Sequence, residues 1–517
     1  MANTISASLA VQLVVTIFIA SIPLRAIWNL FFHPLSYIPG PKLWIAFPIF
    51  RQIASIQGIF DAQMCEYHRK YGNAVRFSPN EVSFITEQAW RDIYDHRPNQ
   101  LERFILSTTR RPDIFDANEM DHARYRKAML PAFSPKGLQE QEPIVKGYID
   151  TFIERLREVS TSGKPTDMVK WYNFTTFDII GDLAFGESFG GLRNREYHFT
   201  ISFTFEAFKL LSYLEAGAAY PLLLKILMAF TPQSLIEARD KKEEHAETTV
   251  RKRLDNRALH GRGDFMDYLL RNRGEKQGLN DKELVANAST LITAGSETTA
   301  TILSGITYWL LQTPAVLQKV TEEVRSTFQS EDEITFTSAT ARLPYMLACF
   351  QEAFRHYPPV PTGMPRVTPS TGMTRISGYD IPPNTKVSVH QLAAYSHPDN
   401  FHRSQEFIPE RWLHEAKTDP SSPWYNDRRE TVQPFNVGPR NCVGRNLAEQ
   451  EIRVMLARVL WNFDLELAPE SKNWTDQKTH FFHLSWIFLQ IHCVQLFFLR
   501  RESNIVSATG GTIKIFD

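Results

Sequence analysis

Apolar residues run almost unbroken from Ile5 to Ile22, and no charged side chain occurs before Arg25. About 18 such residues are the lower limit for a helix that spans a bilayer. The run extends toward Phe32 if Arg25 snorkels its guanidinium to the headgroups. A cleaved signal peptide would want a basic start, and no Lys or Arg precedes this run. The pattern therefore predicts a retained membrane anchor over residues 1–24. Arg25 and Lys42 follow it, and basic residues on that side keep the following chain cytosolic. Ile38-Pro39-Gly40-Pro41 then predicts a stiff turn. It lies in a linker over residues 25–45 and acts as a hinge that fixes how the remainder sits on the membrane.

Helical periodicity dominates from about Glu140 onward. Val285, Ala288, Leu291 and Ile292 open the longest helix, with Asn280-Asp281-Lys282-Glu283 as a capping box at its start. Gln312-Thr313-Pro314 ends it. Roughly thirty residues at 1.5 Å each give about 45 Å, a length that runs through a domain. A second apolar-periodic helix covers Leu343 to His356 and stops before Pro358-Pro359. A third covers Asn446 to Leu460, with Ala448, Ile452, Met455 and Val459 on one face. Strand-like pieces are few and short: Ala74–Arg76, Val82–Ile85 and Lys386–His390. The expected fold class is mainly α with a small β region, in one large domain over residues 46–478.

Composition narrows the function. The 57 basic and 57 acidic residues cancel, which argues against a whole-chain nucleic-acid binder. Cys65, Cys349, Cys442 and Cys493 lie far apart with no CxxC pair, so neither a disulfide framework nor a zinc site is suggested. The 36 phenylalanines suit an apolar cavity as well as an ordinary core.

The strongest chemical signal is Phe435-Asn436-Val437-Gly438-Pro439-Arg440-Asn441-Cys442-Val443-Gly444, just before the third helix. A thiolate that ligates iron must be deprotonated and shielded, and backbone N–H groups tune it. Gly438 and Gly444 let the backbone turn tightly and approach a flat macrocycle. The start of the following helix favours negative charge near the sulfur. Arg440 can reach a carboxylate. For Cys65, Cys349 and Cys493 an inert buried thiol is the preferred reading.

The FxxGxRxCxG loop resembles the heme-binding loop of the cytochrome P-450 family, with Cys442 as the axial ligand to heme iron. Four further landmarks follow the family in order. Ala294-Gly295-Ser296-Glu297-Thr298-Thr299, midway along the long helix, is similar to the oxygen-binding groove. There Gly295 would let the helix open, Thr298 would hydrogen-bond bound oxygen and Glu297 would feed protons. Glu352 and Arg355, with Arg411 of Pro409-Glu410-Arg411-Trp412, resemble the buried structural network that holds the heme loop. His122 and Arg126 stand on one helix face and, with Arg366 and Arg440, match positions that pair with heme propionates. The resemblance covers roughly Pro39 to Gln477, and its wording is closest to filamentous-fungal enzymes of specialised metabolism.

The resemblance implies heme b, and insertion of one oxygen atom from O2 into a lipophilic terpenoid, polyketide or alkaloid intermediate. No dinucleotide fingerprint is evident, so electrons are expected from NADPH through a separate cytochrome P-450 reductase. Residues Ile201–Phe230 are expected to roof the pocket, with walls from Arg97–Asp116, Ala288–Thr298 and Val360–Met364. The expected location is the endoplasmic reticulum membrane, single-pass, with the catalytic domain cytosolic. Desaturation or oxidative ring formation remains an alternative chemistry. A non-catalytic heme protein is an alternative of another class, against which the intact Glu297-Thr298 pair argues. Asn173, Asn287 and Asn473 match the glycosylation sequon but are expected to carry no glycan on a cytosolic domain. Residues 479–517 depart from the family's wording and read as an atypical tail, with a retained intron or faulty gene model as its expected source and a real divergent terminus as the alternative.

Overall fold

The computed structural model describes residues 12–13, 16–17, 20–95, 100–104, 112–202, 220, 233–255, 261–271, 278–476 and 495–500. Six helices position the site: α1 (Glu119–Met129), α2 (Pro135–Ser160), α3 (Met168–Phe185), α4 (Asp281–Gln312), α5 (Pro344–His356) and α6 (Arg445–Asn462). Helices also occupy the chain before Glu140, including Phe60–Tyr71 and α1. Helix α1 bears out the helix face expected for His122 and Arg126; the others before Glu140 were not singled out from the sequence. Short amphipathic helices show weak periodicity, and tertiary packing completes them.

Helix α4 begins where its sequence signals a start. The Asn280 side chain accepts from the Glu283 amide at 3.0 Å, and Glu283 Oε2 accepts from the Asn280 amide at 2.9 Å. The helix runs 32 residues to Gln312, and Pro314 opens the next helix. Every residue from Thr299 to Tyr308 is buried, the signature of a helix enclosed by its own domain. Its hydroxyls are satisfied internally: Ser296, Ser304 and Thr307 each donate to the carbonyl four residues back. Helix α3 packs most closely on α4, and the Tyr172 hydroxyl meets Thr307 Oγ1 at 2.8 Å.

The β region is small. One sheet has the order β1 (Ala74–Ser78), β2 (Glu81–Phe84), β8 (Lys386–Val389), β5 (Arg366–Val367), β3 (Glu102–Arg103). Only its β2–β8 pair is parallel. Strands β6 (Thr374–Ile376) and β7 (Tyr379–Ile381) form a hairpin. The third sheet has the order β4 (Thr166–Asp167), β10 (Gln495–Arg500), β9 (Phe463–Leu467). Part of the stretch set apart as a tail thus contributes a central strand, in register from Leu496↔Leu467 to Arg500↔Phe463.

Glu352, Arg355 and Arg411 converge in a fully buried cluster. Arg355 Nη2 donates to Glu352 Oε1 at 2.8 Å, and Arg411 Nε donates to the same oxygen at 3.1 Å. Trp412 Nε1 and the Ile408 amide complete the carboxylate's shell. Burial alone would raise the Glu352 pKa, but the charge and hydrogen bonds of Arg355 outweigh it and hold the group well below the usual range. Arg411 also pairs with Asp427. The cluster ties α5 to the segment that leads into the Cys442 loop.

The Pro-Gly linker is docked, not loose. The Arg76 amide of β1 donates to the Pro39 carbonyl at 2.9 Å, and Arg76 Nη1 donates to the Asn29 carbonyl at 2.8 Å. A Cβ at Gly40 would lie 1.8 Å from the Arg76 carbonyl oxygen, so only glycine permits this approach. Among the described residues no helix is long and apolar enough to cross a membrane. The predicted Ile5–Ile22 anchor lies largely outside those residues.

Candidate active site

Helices α1, α3, α4 and α6 and the loop before α6 line a cavity. Phe435, Arg440, Cys442 and Gly444 line it, as do His122, Arg126, Arg366 and Thr298. Glu297 and Gly438 are absent from that lining.

The loop holds Cys442 by its backbone. The Cys442 amide donates to the Phe435 carbonyl at 2.9 Å, and the Phe435 ring meets Phe354 edge-on at 5.4 Å. Protein encloses the thiol, yet its sulfur is open to the cavity. Burial pushes the thiol pKa up, while the amides of Gly444 and Arg445 and the charges of Arg126 and Arg445 pull it down. Amides at a helix start and nearby guanidiniums are the means by which a protein favours a thiolate. Gly438 serves a different contact from the one expected. Its φ is +76°, and a Cβ there would lie 1.9 Å from the Tyr94 carbonyl oxygen. It lets the loop turn against Tyr94 and does not face the cavity.

Basic groups crowd one end of the cavity. Arg126 donates to the Asn441 carbonyl at 2.7 Å and also to its side chain. Arg440 Nη2 donates to the Ala117 carbonyl at 3.0 Å. Burial and the charges of Arg440, Arg126, Arg366 and Arg103 lower His122 to about 3, so its ring is neutral. Burial lowers Arg366 and Arg440 to about 10. Arg366 is 1% exposed, and its Nε and Nη1 have no hydrogen-bond partner among the described residues. It stands directly across the β3–β5 ladder from Arg103. Like charges opposed in a sheet are destabilising, and a buried guanidinium with free donors costs more. This arrangement fits a bound dianion. A flat macrocycle with two carboxylates and an iron above Cys442 meets both demands, so the residues fit heme.

The oxygen-facing side is α4. Thr298 Oγ1 donates to the Ala294 carbonyl at 2.6 Å, which leaves its lone pairs for a group in the cavity. The helix is unbroken at Gly295, contrary to the expected opening. A Cβ at Gly295 would lie 2.8 Å from Ile180 Cδ1, so the glycine admits α3 to close range. Glu297 is buried with Oε2 unpartnered, and desolvation raises it to about 8. It sits beside the cavity as a protonated acid at neutral pH.

Two charged cavity residues were given no role from the sequence. Arg103 falls within the expected wall Arg97–Asp116 and lines the cavity, but its place in the basic cluster depends on the pairing of β3 with β5, which no local pattern announces. Glu451 lines the cavity with Oε1 unpartnered, and burial raises it to about 8. A signal existed for Glu451. It shares the inward face of α6 with Leu447, Ala448 and Ile452, an acid on an apolar stripe. Of the expected pocket walls, Ile114, Phe115, Thr290, Leu291, Val360 and Met364 line the cavity. The expected roof over Ile201–Phe230 lies outside the described residues except for Ile201, Ser202 and Tyr220.

Comparison with known proteins matches the same features. The family model for cytochrome P450 covers residues 38–488. The chain is 93% identical over 481 residues to a trichothecene C-4 hydroxylase of Trichoderma arundinaceum, across 93% of this chain and 96% of that protein. It is 54% identical over 456 residues to a cytochrome P450 monooxygenase of Penicillium canescens, across 88% of this chain and 93% of that protein. It is 39% identical over 483 residues to an averantin hydroxylase of Dothistroma septosporum, across 90% and 89%. With its sulfur, basic cluster and helical wall in place, the chain belongs to the cytochrome P450 family and is a fungal heme monooxygenase of secondary metabolism.

Proposed function

We propose that this chain hydroxylates a trichothecene at C-4. The observation that carries the reading is 93% identity, over 93% of the chain, to the protein of that name. The cavity wall supports it. Ile114, Phe115, Ile180, Leu291 and Val360 offer apolar surface, and Thr290 and Thr298 add small polar groups. A compact terpenoid skeleton suits such a lining.

Heme held by Cys442 would supply the oxidising chemistry, with the thiolate favouring O–O cleavage. The chain's own residues do the rest. Arg103, Arg126, Arg366 and Arg440 neutralise the carboxylates that enter with the cofactor, and neutral His122 adds a hydrogen-bond donor. Thr298, its proton committed to the Ala294 carbonyl, would hold a water in the cavity by accepting from it. Glu451, which lines the cavity, and Glu297, buried next to Thr298 in α4, are protonated at neutral pH and store protons. Apolar side chains exclude bulk water.

Electrons come from NADPH through a separate flavoprotein reductase in this reading. The chain is anchored by residues 1–24 in the endoplasmic reticulum membrane, with its catalytic domain cytosolic. Exposed apolar side chains at Leu24, Ile27, Trp28, Phe31, Phe32, Leu43, Ile49, Phe50 and Ile53 support a lipid contact along this end. The test is turnover of a trichothecene unsubstituted at C-4 with reductase, NADPH and isotopically heavy O2. One heavy hydroxyl at C-4 is the expected product. A product oxidised elsewhere, or one without the label, would overturn the reading.

A further inference from the structure

Asn287 belongs to a sequon, yet it is 0% exposed and committed to hydrogen bonds across α4 and the segment 112–117. Its Oδ1 accepts from the Ile114 amide at 2.9 Å. Its Nδ2 donates to the Glu283 carbonyl at 2.8 Å and to the Pro112 carbonyl at 3.3 Å. Nearly all of the amide's capacity is used. One turn along the same helix, Thr290 Oγ1 donates to Asp113 Oδ2 at 3.0 Å. The other oxygen of Asp113 accepts from the Phe115 and Asp116 amides at 3.0 and 2.9 Å. The far end of the segment is tied to the basic cluster, where Arg440 holds the Ala117 carbonyl.

We propose that Asn287 and Thr290 form a latch that sets which ligands enter the cavity and how they sit, by holding segment 112–117 against α4. Ile114 and Phe115 of that segment form cavity wall. Asparagine is a poor residue for a helix interior because it competes for backbone groups. Here it satisfies the backbone of a loop that has no ladder partner in any of the three sheets among the described residues. Asn287 is a positioning residue that acts through Ile114 and Phe115; Thr290 acts through them too and also lines the cavity itself. Their proposed effect on substrate rests on the monooxygenase reading, but the latch itself does not.

The test uses the heme-loaded full chain and Asn287→Leu, Thr290→Val and Thr293→Val variants. Among the described residues the Thr293 hydroxyl bonds only the Ser289 carbonyl of its own helix, so it serves as the control. Amide hydrogen exchange at Ile114 is expected to rise about five- to tenfold in Asn287→Leu, the effect of one buried hydrogen bond. Thr290→Val is expected to raise exchange at Phe115 and Asp116, and it carries the test alone if Asn287→Leu fails to fold. Thr293→Val is expected to change neither. The second readout is the rate at which imidazole and the bulkier 4-phenylimidazole reach the iron. The latch variants are expected to speed the bulky probe and leave imidazole unchanged. Unchanged exchange in both latch variants, equal acceleration of both probes, or the same effects from Thr293→Val would each overturn the latch. Retention of the thiolate-type carbon monoxide spectrum in the variants separates these outcomes from failure of the heme assignment.

Discussion

Cys442 stands between burial, which disfavours its thiolate, and the nearby amides and guanidiniums, which favour it. The neighbouring acids show burial without that compensation. Glu297 and Glu451 are held at about 8 against an ordinary 4.5. Between those values the unfolded chain releases protons that the folded chain keeps, so each group's contribution to stability falls as pH rises. It is fully present below 4.5 and lost as pH passes 8. Glu297→Gln removes that dependence for one site. Its stability relative to the parent, measured by denaturant titration, is expected to grow from about pH 5 to about pH 8; a constant offset would contradict the assignment. Thr298→Ala removes the hydroxyl that faces the cavity. It is expected to bind heme normally while more NADPH is diverted to hydrogen peroxide, read as product formed per NADPH. Unchanged coupling would count against the role of Thr298. At this scale the sequence was most legible where residues are neighbours in the chain, as from Phe435 to Gly444. Arg103 was not legible because strand pairing alone brings it to Arg366. Gly438 was read with the right backbone freedom and the wrong neighbour, since Tyr94 comes from a distant helix.

Among elements, α4 was readable almost to the residue because its ends carry their own chemistry. A capping box starts it and Pro314 follows its end. The five-stranded sheet was readable only in part. Its β1, β2 and β8 were expected close to where they lie, but β3 and β5 have two residues each, too few for a periodic pattern. The Glu352–Arg355–Arg411 cluster was visible as residues but not as an energy, since its weight depends on burial. Removing one partner of a buried, hydrogen-bonded ion pair costs about 3–5 kcal/mol. Glu352→Gln is expected to lose stability on that order and to retain less heme after purification. The exposed pair Arg91–Glu430 offers the contrast, with side chains 57% and 69% accessible. Arg91→Ala is expected to change stability by less than about 1 kcal/mol. Equal losses in the two variants, measured by chemical denaturation, would show that burial does not give the cluster its weight.

The whole molecule places a docked linker, an apolar margin and a cavity in one frame. The clamp of Arg76 on Asn29 and Pro39 fixes the linker to β1, so any membrane contact made by Trp28 to Ile53 is transmitted without slack. Topology has a direct check. Asn173 and Asn287 are buried at 3% and 0% and cannot report on glycosylation of the folded chain, whereas Asn473 is exposed. With a cytosolic domain, native protein is expected to show no glycosidase-sensitive mass at Asn473, and such a mass would reverse the proposed orientation. The central claim is that Cys442 is the sulfur ligand in this cavity. It is tested most directly by the carbon monoxide spectrum of the reduced protein, native beside Cys442→Ala. The native chain is expected to give the long-wavelength thiolate band, and the variant is expected to lack it while heme content is followed separately. A thiolate band that survives in Cys442→Ala would contradict the claim.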